Sequence, residues 1–130
     1  MPPNPTAATR ADTYPAKPIT IIVPYPPGGP TDIMGRLTSE VLTKRLGQNV
    51  VVDNRAGANG IIGTEIVAKS APDGYTIILG TTATHAINGS VYAKLPYDPV
   101  KDFAPITNLA YSAFIISVHP SIPVRNIGEL

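Results

Sequence analysis

Three short apolar runs alternate with amphipathic stretches in this chain, and no other feature of the sequence constrains its fold as strongly. Ile19-Thr20-Ile21-Ile22-Val23 carries four β-branched aliphatics in five residues. A continuous run of that kind suits a strand buried on both faces, as in parallel sheets. Asn49–Val52 and Tyr75–Leu79 repeat the pattern. Between the first two runs, Ile33, Met34, Leu37, Val41, Leu42 and Leu46 keep helical spacing. Thr31 or Gly29 is the expected cap there, with Asp32 in the first turn, Lys44 and Arg45 in the last, and Gly47 as the stop. Before the third run, Asn59 is the expected cap of a helix over about Gly60–Ser70, with Ile62, Ile66 and Val67 inward. The order β-α-β-α-β with short connections implies an α/β fold. Its sheet is mostly parallel, its crossovers are right-handed, and helices cover both faces.

Beyond the third run, the Thr-rich Gly80–Asn88 leads into a short helical stretch ending near Tyr92. Leu95–Pro99 reads as a turn, and Ala104–Leu109 and Ala113–Val118 read as two further strands. Asn126–Leu130 opens a helix, and a chain that stops on an apolar Leu at that point reads as truncated. Met1–Tyr14 has no periodicity and reads as a flexible lead. It carries no apolar stretch of the kind that forms a secretory leader.

Charge and composition exclude several classes. The net charge is +1 and charged residues are 15%, against about 25% in ordinary domains. A nucleic-acid partner would need clustered Lys and Arg. No run of 18 apolar residues exists, so no segment is expected to insert in a membrane. With no cysteine, disulfides, thiolate metal sites and cysteine nucleophiles are excluded. The 15 prolines have no period and punctuate loops and strand ends.

In open α/β sheets, ligands bind outside the carboxyl ends of the strands. Three loops fall there: Pro24–Thr31, Asp53–Asn59 and Gly80–Asn88. Two of them run into helix starts, where free N–H groups and the helix dipole favour anions. Gly28 and Gly29 let backbone approach a ligand closely. The third loop offers Thr81, Thr82, Thr84, His85 and Asn88, a neutral hydrogen-bonding surface with no cationic clamp. That surface fits a small carboxylate better than a phosphate.

Other motifs fall short. Gly57-Ala58-Asn59-Gly60-Ile61-Ile62-Gly63 has the spacing G-x-x-G-x-x-G, not the dinucleotide fingerprint, and no acid follows the next strand. There is no P-loop and no G-x-S-x-G elbow. His85 and His119 lack carboxylates at ligand spacing, so no metal site is expected. Asp32 and Asp53 read as cap and loop residues rather than an acid/base pair. Arg36, Lys44 and Arg45 read as a solvated face. Asn88-Gly89-Ser90 matches a glycosylation sequon, a match frequent by chance.

Several ordered motifs carry a family signal. They are Tyr14-Pro15-x-Lys17-Pro18-Ile19, Ile22-Val23-Pro24-Tyr25-Pro26-Pro27-Gly28-Gly29-x-x-Asp32, Leu46-Gly47-Gln48-x-Val50-Val51-Val52-Asp53-Asn54-Arg55 and Gly57-Ala58-x-Gly60-x-x-Gly63. Pro72-Asp73-Gly74-Tyr75-Thr76, Lys94-Leu95-Pro96-Tyr97-Asp98-Pro99, Asp102-Phe103-x-Pro105 and His119-Pro120-Ser121-Ile122-Pro123 continue it. Together they resemble the Bug-type solute-binding proteins, the extracytoplasmic receptors of tripartite tricarboxylate transporters, from Tyr14 to Leu130.

The resemblance implies a two-lobed clamshell of the type II periplasmic-binding class, with a ligand between the lobes and no catalysis. Its ligand would be a small organic carboxylate held by loop backbone groups and waters, with no cofactor. Carried onto this sequence, the ligand-binding residues are Tyr25, Gly28, Gly29, Thr31 and Asp32 in the first loop and Thr82, His85 and Asn88 in the third. Asn59 and Gly60 are secondary candidates. The implied partners are membrane transporter subunits, and the implied location is the periplasm. Residues 1–16 would form the lead, 17–109 an incomplete first lobe, and 110–130 a hinge strand and the start of the second lobe. An alternative from the residues alone is a small α/β enzyme domain binding a phosphorylated or nucleotide ligand at its Gly-rich loop.

Overall fold

A computed structural model describes residues 14–113 and 115–130. The central strand β1 spans Ile19–Val23 and is buried except at half-buried Thr20. Helix α1 (Pro30–Leu46), strand β2 (Val50–Asn54), helix α2 (Ile61–Ala68), strand β3 (Thr76–Ile78) and the one-turn helix α3 (Asn88–Val91) follow. The sheet order is β2-β1-β3, and both pairings are parallel. Because β2 and β3 flank β1 on opposite sides, right-handed crossovers place α1 and α2 on opposite faces. The α/β class and the covered parallel sheet agree with the sequence reading.

The core follows from pleat alternation. Ile19, Ile21 and Val23 point to one face and join Val50 in a buried cluster, with Leu42, Val52, Ile77 and Leu79 packed around it. Each of the four buried aliphatics, Ile19, Ile21, Val23 and Val50, contributes roughly 1.5–3 kcal/mol relative to exposure. Pairing puts Val23 opposite Asn54 and Ile22 opposite Ile78, so the three strands end level with one another. That register brings the three loops after the strands to one edge.

Pro30 occupies the first helical position of α1, where its missing N–H costs nothing. The cap is Gly29, one of the two expected, and Gly47 ends the helix. The apolar set on this helix divides. Leu42 faces the core, but Ile33, Leu37 and Val41 are more than half exposed, and buried Asp32 and Gly35 take their place against the sheet. Gly35 leaves room for Val23: an added Cβ would lie 2.8 Å from its Cγ2. With Leu109, the residues Leu37, Thr38, Val41 and Leu42 line a shallow apolar groove of about 290 Å³.

Helix α2 also departs from expectation. It is shorter than Gly60–Ser70, its cap is Gly60, and Asn59 does not cap it. Its inward residues are Ile61, Gly63 and Thr64, whereas Ile62 and Ile66 are exposed. Gly63 sets this rotation, since a Cβ there would lie 2.7 Å from the carbonyl of Arg55 and 2.9 Å from Cα of Pro24. Contact with two backbones leaves space for no other residue.

The two strands expected over Ala104–Leu109 and Ala113–Val118 do not form among the described residues. Apolar side chains there are exposed, among them Ile106 and Ile115. A strand exists only through a hydrogen-bonded neighbour, and neither run lies beside one. Ile127–Glu129 forms a 3₁₀ turn where a helix start was expected. Most of the expected lead lies outside the described residues. At its end Tyr14 is anchored: its hydroxyl donates to the Gly74 carbonyl at 2.8 Å, and its ring packs on Tyr75.

Candidate functional site

Every strand of the sheet runs out at the same edge, and three loops meet there. The first, Pro24–Gly29, turns through Gly28 at φ 87°, a left-handed conformation that glycine adopts without penalty. Its N–H donates to Asp32 Oδ2 at 2.9 Å. Arg36 Nε donates to the same oxygen at 3.0 Å, and Asn54 Nδ2 donates to Oδ1 at 3.0 Å. The Asn54 amide also reaches the Tyr25 carbonyl at 3.1 Å. Asp32 is therefore a buried hub that joins the first loop to α1 and to the end of β2. Arg36 and the Gly28 N–H hold its carboxyl down at about 2, opposed only by desolvation.

Tyr25 is half-buried, and its hydroxyl lies 2.9 Å from Thr81 Oγ1, tying the first loop to the third. The Thr81 N–H donates to Thr84 Oγ1 at 2.9 Å. Fully buried Thr84 lies beside His85, whose Nδ1 is 2.8 Å from the Thr84 hydroxyl. Phe103 packs against the imidazole edge-on. Burial holds His85 below the usual imidazole range, so it is neutral at pH 7. Tyr97, itself buried, donates its hydroxyl to the Thr84 carbonyl at 2.7 Å.

The second loop joins the third through two asparagines. Asn59 Nδ2 donates to Asn88 Oδ1 at 2.9 Å, and Asn88 Nδ2 donates to the Asn59 carbonyl at 3.1 Å. Asn88 has no exposed surface, which removes it as a glycosylation acceptor.

The expected site residues thus separate by role. Tyr25, Asp32 and Asn88 spend their polar atoms within the protein. Thr31 is half-buried, Thr82 is exposed, and Gly29 starts α1. Neither α1 nor α2 has a side-chain cap; Pro30 brings no N–H to the start of α1, and at the start of α2 the Ile61 N–H donates to the Ala58 carbonyl, so the N–H groups free of a cap begin one residue further in. The sequence reading missed Asn54 and Tyr97 as parts of the site; Thr81 and Thr84, named with the third loop, serve as its internal links. Arg36 is exposed, as the solvated-face reading expected, and it also supports Asp32. Asn54, a polar residue directly at the carboxyl end of an apolar strand run, was the readable signal.

The charges at this edge are paired: Asp32 with Arg36, and Asp53 with Arg55 at 2.9 Å. No group of three or more metal-ligating side chains occurs among the described residues. The arrangement can bind a small polar solute through backbone N–H groups and hydroxyls.

The model of the tripartite tricarboxylate transporter family receptor matches residues 17–130. Protein BugT of Bordetella pertussis is 43% identical over 125 residues, 95% of this chain and 38% of BugT. The solved periplasmic binding protein BugD superposes with a TM-score of 0.68 at 42% identity, covering 72% of this chain and 31% of that one. An R. palustris protein solved with adipate gives a TM-score of 0.79 at 40% identity, covering 89% of this chain and 39% of that one. This chain spans less than two fifths of the length of each of these relatives.

Proposed function

The chain belongs to the tripartite tricarboxylate transporter receptor family, and from that membership we propose that it supplies the first lobe of a periplasmic receptor for a small organic carboxylate. The family's matched members are receptors and binding proteins, and the chain is not an enzyme. Among the described residues, no helix is long and apolar enough to cross a membrane.

One observation carries the carboxylate reading. Two helices without side-chain caps begin at one edge of the sheet, among neutral hydroxyl and amide groups and with every nearby charge already paired. Backbone N–H groups at such starts favour an anion. The lack of a free cation favours a diffuse carboxylate over a phosphate. Gly29, Thr31 and Thr82 make the direct contacts, while Tyr25, Asp32, Gly60, His85 and Asn88 shape the loops that carry them. The adipate held by the R. palustris relative is of this chemical class. Delivery of the solute to membrane transporter subunits, and a location in the periplasm, follow from the same family reading.

Calorimetric titration of the full-length protein with adipate, hexanoate and hexylamine at neutral pH tests the proposal. Adipate is expected to bind saturably at one site, hexanoate more weakly, and the amine not at all. Binding of the amine in preference to both acids would overturn it.

A further inference from the structure

The second loop holds four successive residues at positive φ, a shape that its two glycines and Asn59 tolerate but Ala58 does not favour. Gly57, Ala58, Asn59 and Gly60 follow one another at φ 137°, 46°, 53° and 85°. Left-handed backbone at a non-glycine residue costs roughly 1–2 kcal/mol, and such conformations persist only where their surroundings over-determine them. Here the surroundings are specific. Exposed Asn59 exchanges two hydrogen bonds with fully buried Asn88, one through its side chain and one through its carbonyl. On the next residue, Gly60 packs so closely on the third loop that an added Cβ would lie 2.7 Å from Thr84 Cγ2. Its carbonyl accepts from the buried Thr64 hydroxyl at 2.7 Å.

We propose that Asn59 and Asn88 form a clasp that holds Gly57–Gly60 in its left-handed shape and so sets how the second loop and the start of α2 are placed at the ligand edge. Both are positioning residues, and Asn88 acts through Asn59 without touching solute. The ligand half of this inference rests on the carboxylate-receptor reading; the clasp itself does not.

The test uses the full-length protein with Asn88→Ala, Asn59→Gly and both together. Hydrogen exchange of residues 57–62 and titration with adipate are the two readouts. Asn59→Gly is expected to raise exchange at 57–62 and weaken adipate binding about tenfold, the loss of one net hydrogen bond, and Asn88→Ala, which removes both, to do at least as much. Protection of Ile19–Val23 stays at the parent level, which a general loss of stability would not allow. The double variant is no worse than Asn88→Ala, because Asn88→Ala already removes both hydrogen bonds, including the one lost in Asn59→Gly. Asn59→Ala exceeds Asn59→Gly by roughly fivefold, since alanine tolerates positive φ poorly. Additive losses, or exchange at 57–62 unchanged in a folded Asn59→Gly, would overturn the clasp. Asn59 is exposed, so its variants carry the test if Asn88→Ala does not fold. Should the parent fail to bind adipate, the carboxylate reading falls and the exchange arm still decides the clasp.

Discussion

Asp32 is an acid used internally, and its titration gives the fold a defined acid sensitivity. Three donors converge on its carboxylate, and the Arg36 guanidinium with the Gly28 N–H holds its pKa at about 2. In an unfolded chain an aspartate titrates near about 3.9. A carboxyl depressed on folding contributes stability above the unfolded value, and that contribution is lost as pH falls through the folded one. The melting temperature should therefore fall between about pH 4 and pH 2. Asp32→Asn should lower it at neutral pH and flatten the fall across that window. Asp73, Asp98 and Glu40 are also lowered and leave a residual slope. A variant that kept the parent's full acid slope would remove Asp32 from this role. The same residue shows how far the site was legible in sequence. Residue type and loop position singled out Asn88, because polar groups at the carboxyl edge of a sheet stand out, and the family resemblance added Tyr25 and Asp32. The direction of their polar atoms was not legible, since it depends on partners such as Asn54, Thr81 and Asn59 brought in by strand register.

The two faces of α1 carry different energetic weight. Leu42 packs on the Ile19–Ile21–Val23 face of the sheet, while Val41 beside it is more than half exposed. Leu42→Ala should destabilise this chain by about 2 kcal/mol through lost contacts and a partial cavity. Val41→Lys should change its stability by less than about 0.5 kcal/mol. Urea unfolding of the two variants checks both, and a large loss from Val41→Lys would place that residue in the core. This contrast marks the limit of reading elements from pattern. β1 was found because a strand covered on both faces must be apolar throughout, and β2 and β3 carry enough of the same apolar run to be found although they are only partly covered. The apolar set on α1 was found as one stripe, although the sheet accepts only part of it. Gly35 and Gly63 bring their helices close to the sheet and loops, and that close approach fixes which side chains turn outward. The runs at 104–118 had strand composition, but pairing is a non-local condition that composition does not supply.

At the scale of the molecule, three strands and two principal helices leave much apolar surface uncovered. Ile33, Leu37 and Val41 on α1 are exposed together, and Ile106, Tyr111, Ile115 and Ile127 are each more than three quarters exposed. Among the described residues, β2 and β3 each present one unpaired edge. Open edges template association, and contiguous apolar patches drive it. A three-stranded sheet with so few buried aliphatics also lies near the lower limit of independent stability. The isolated 130-residue polypeptide is therefore expected to melt broadly and to self-associate as its concentration rises, which sedimentation velocity with parallel thermal melts would register. A sharp melt independent of concentration would contradict this. The two causes separate by substitution. Leu37→Lys with Val41→Lys removes apolar surface from α1 and leaves the strand edges intact, so it should suppress association if the helix face drives it. Association that persisted in this double variant would point instead to the free edges of β2 and β3. There, Val51→Lys, on an exposed position of β2, should suppress association by placing a charge on the edge strand.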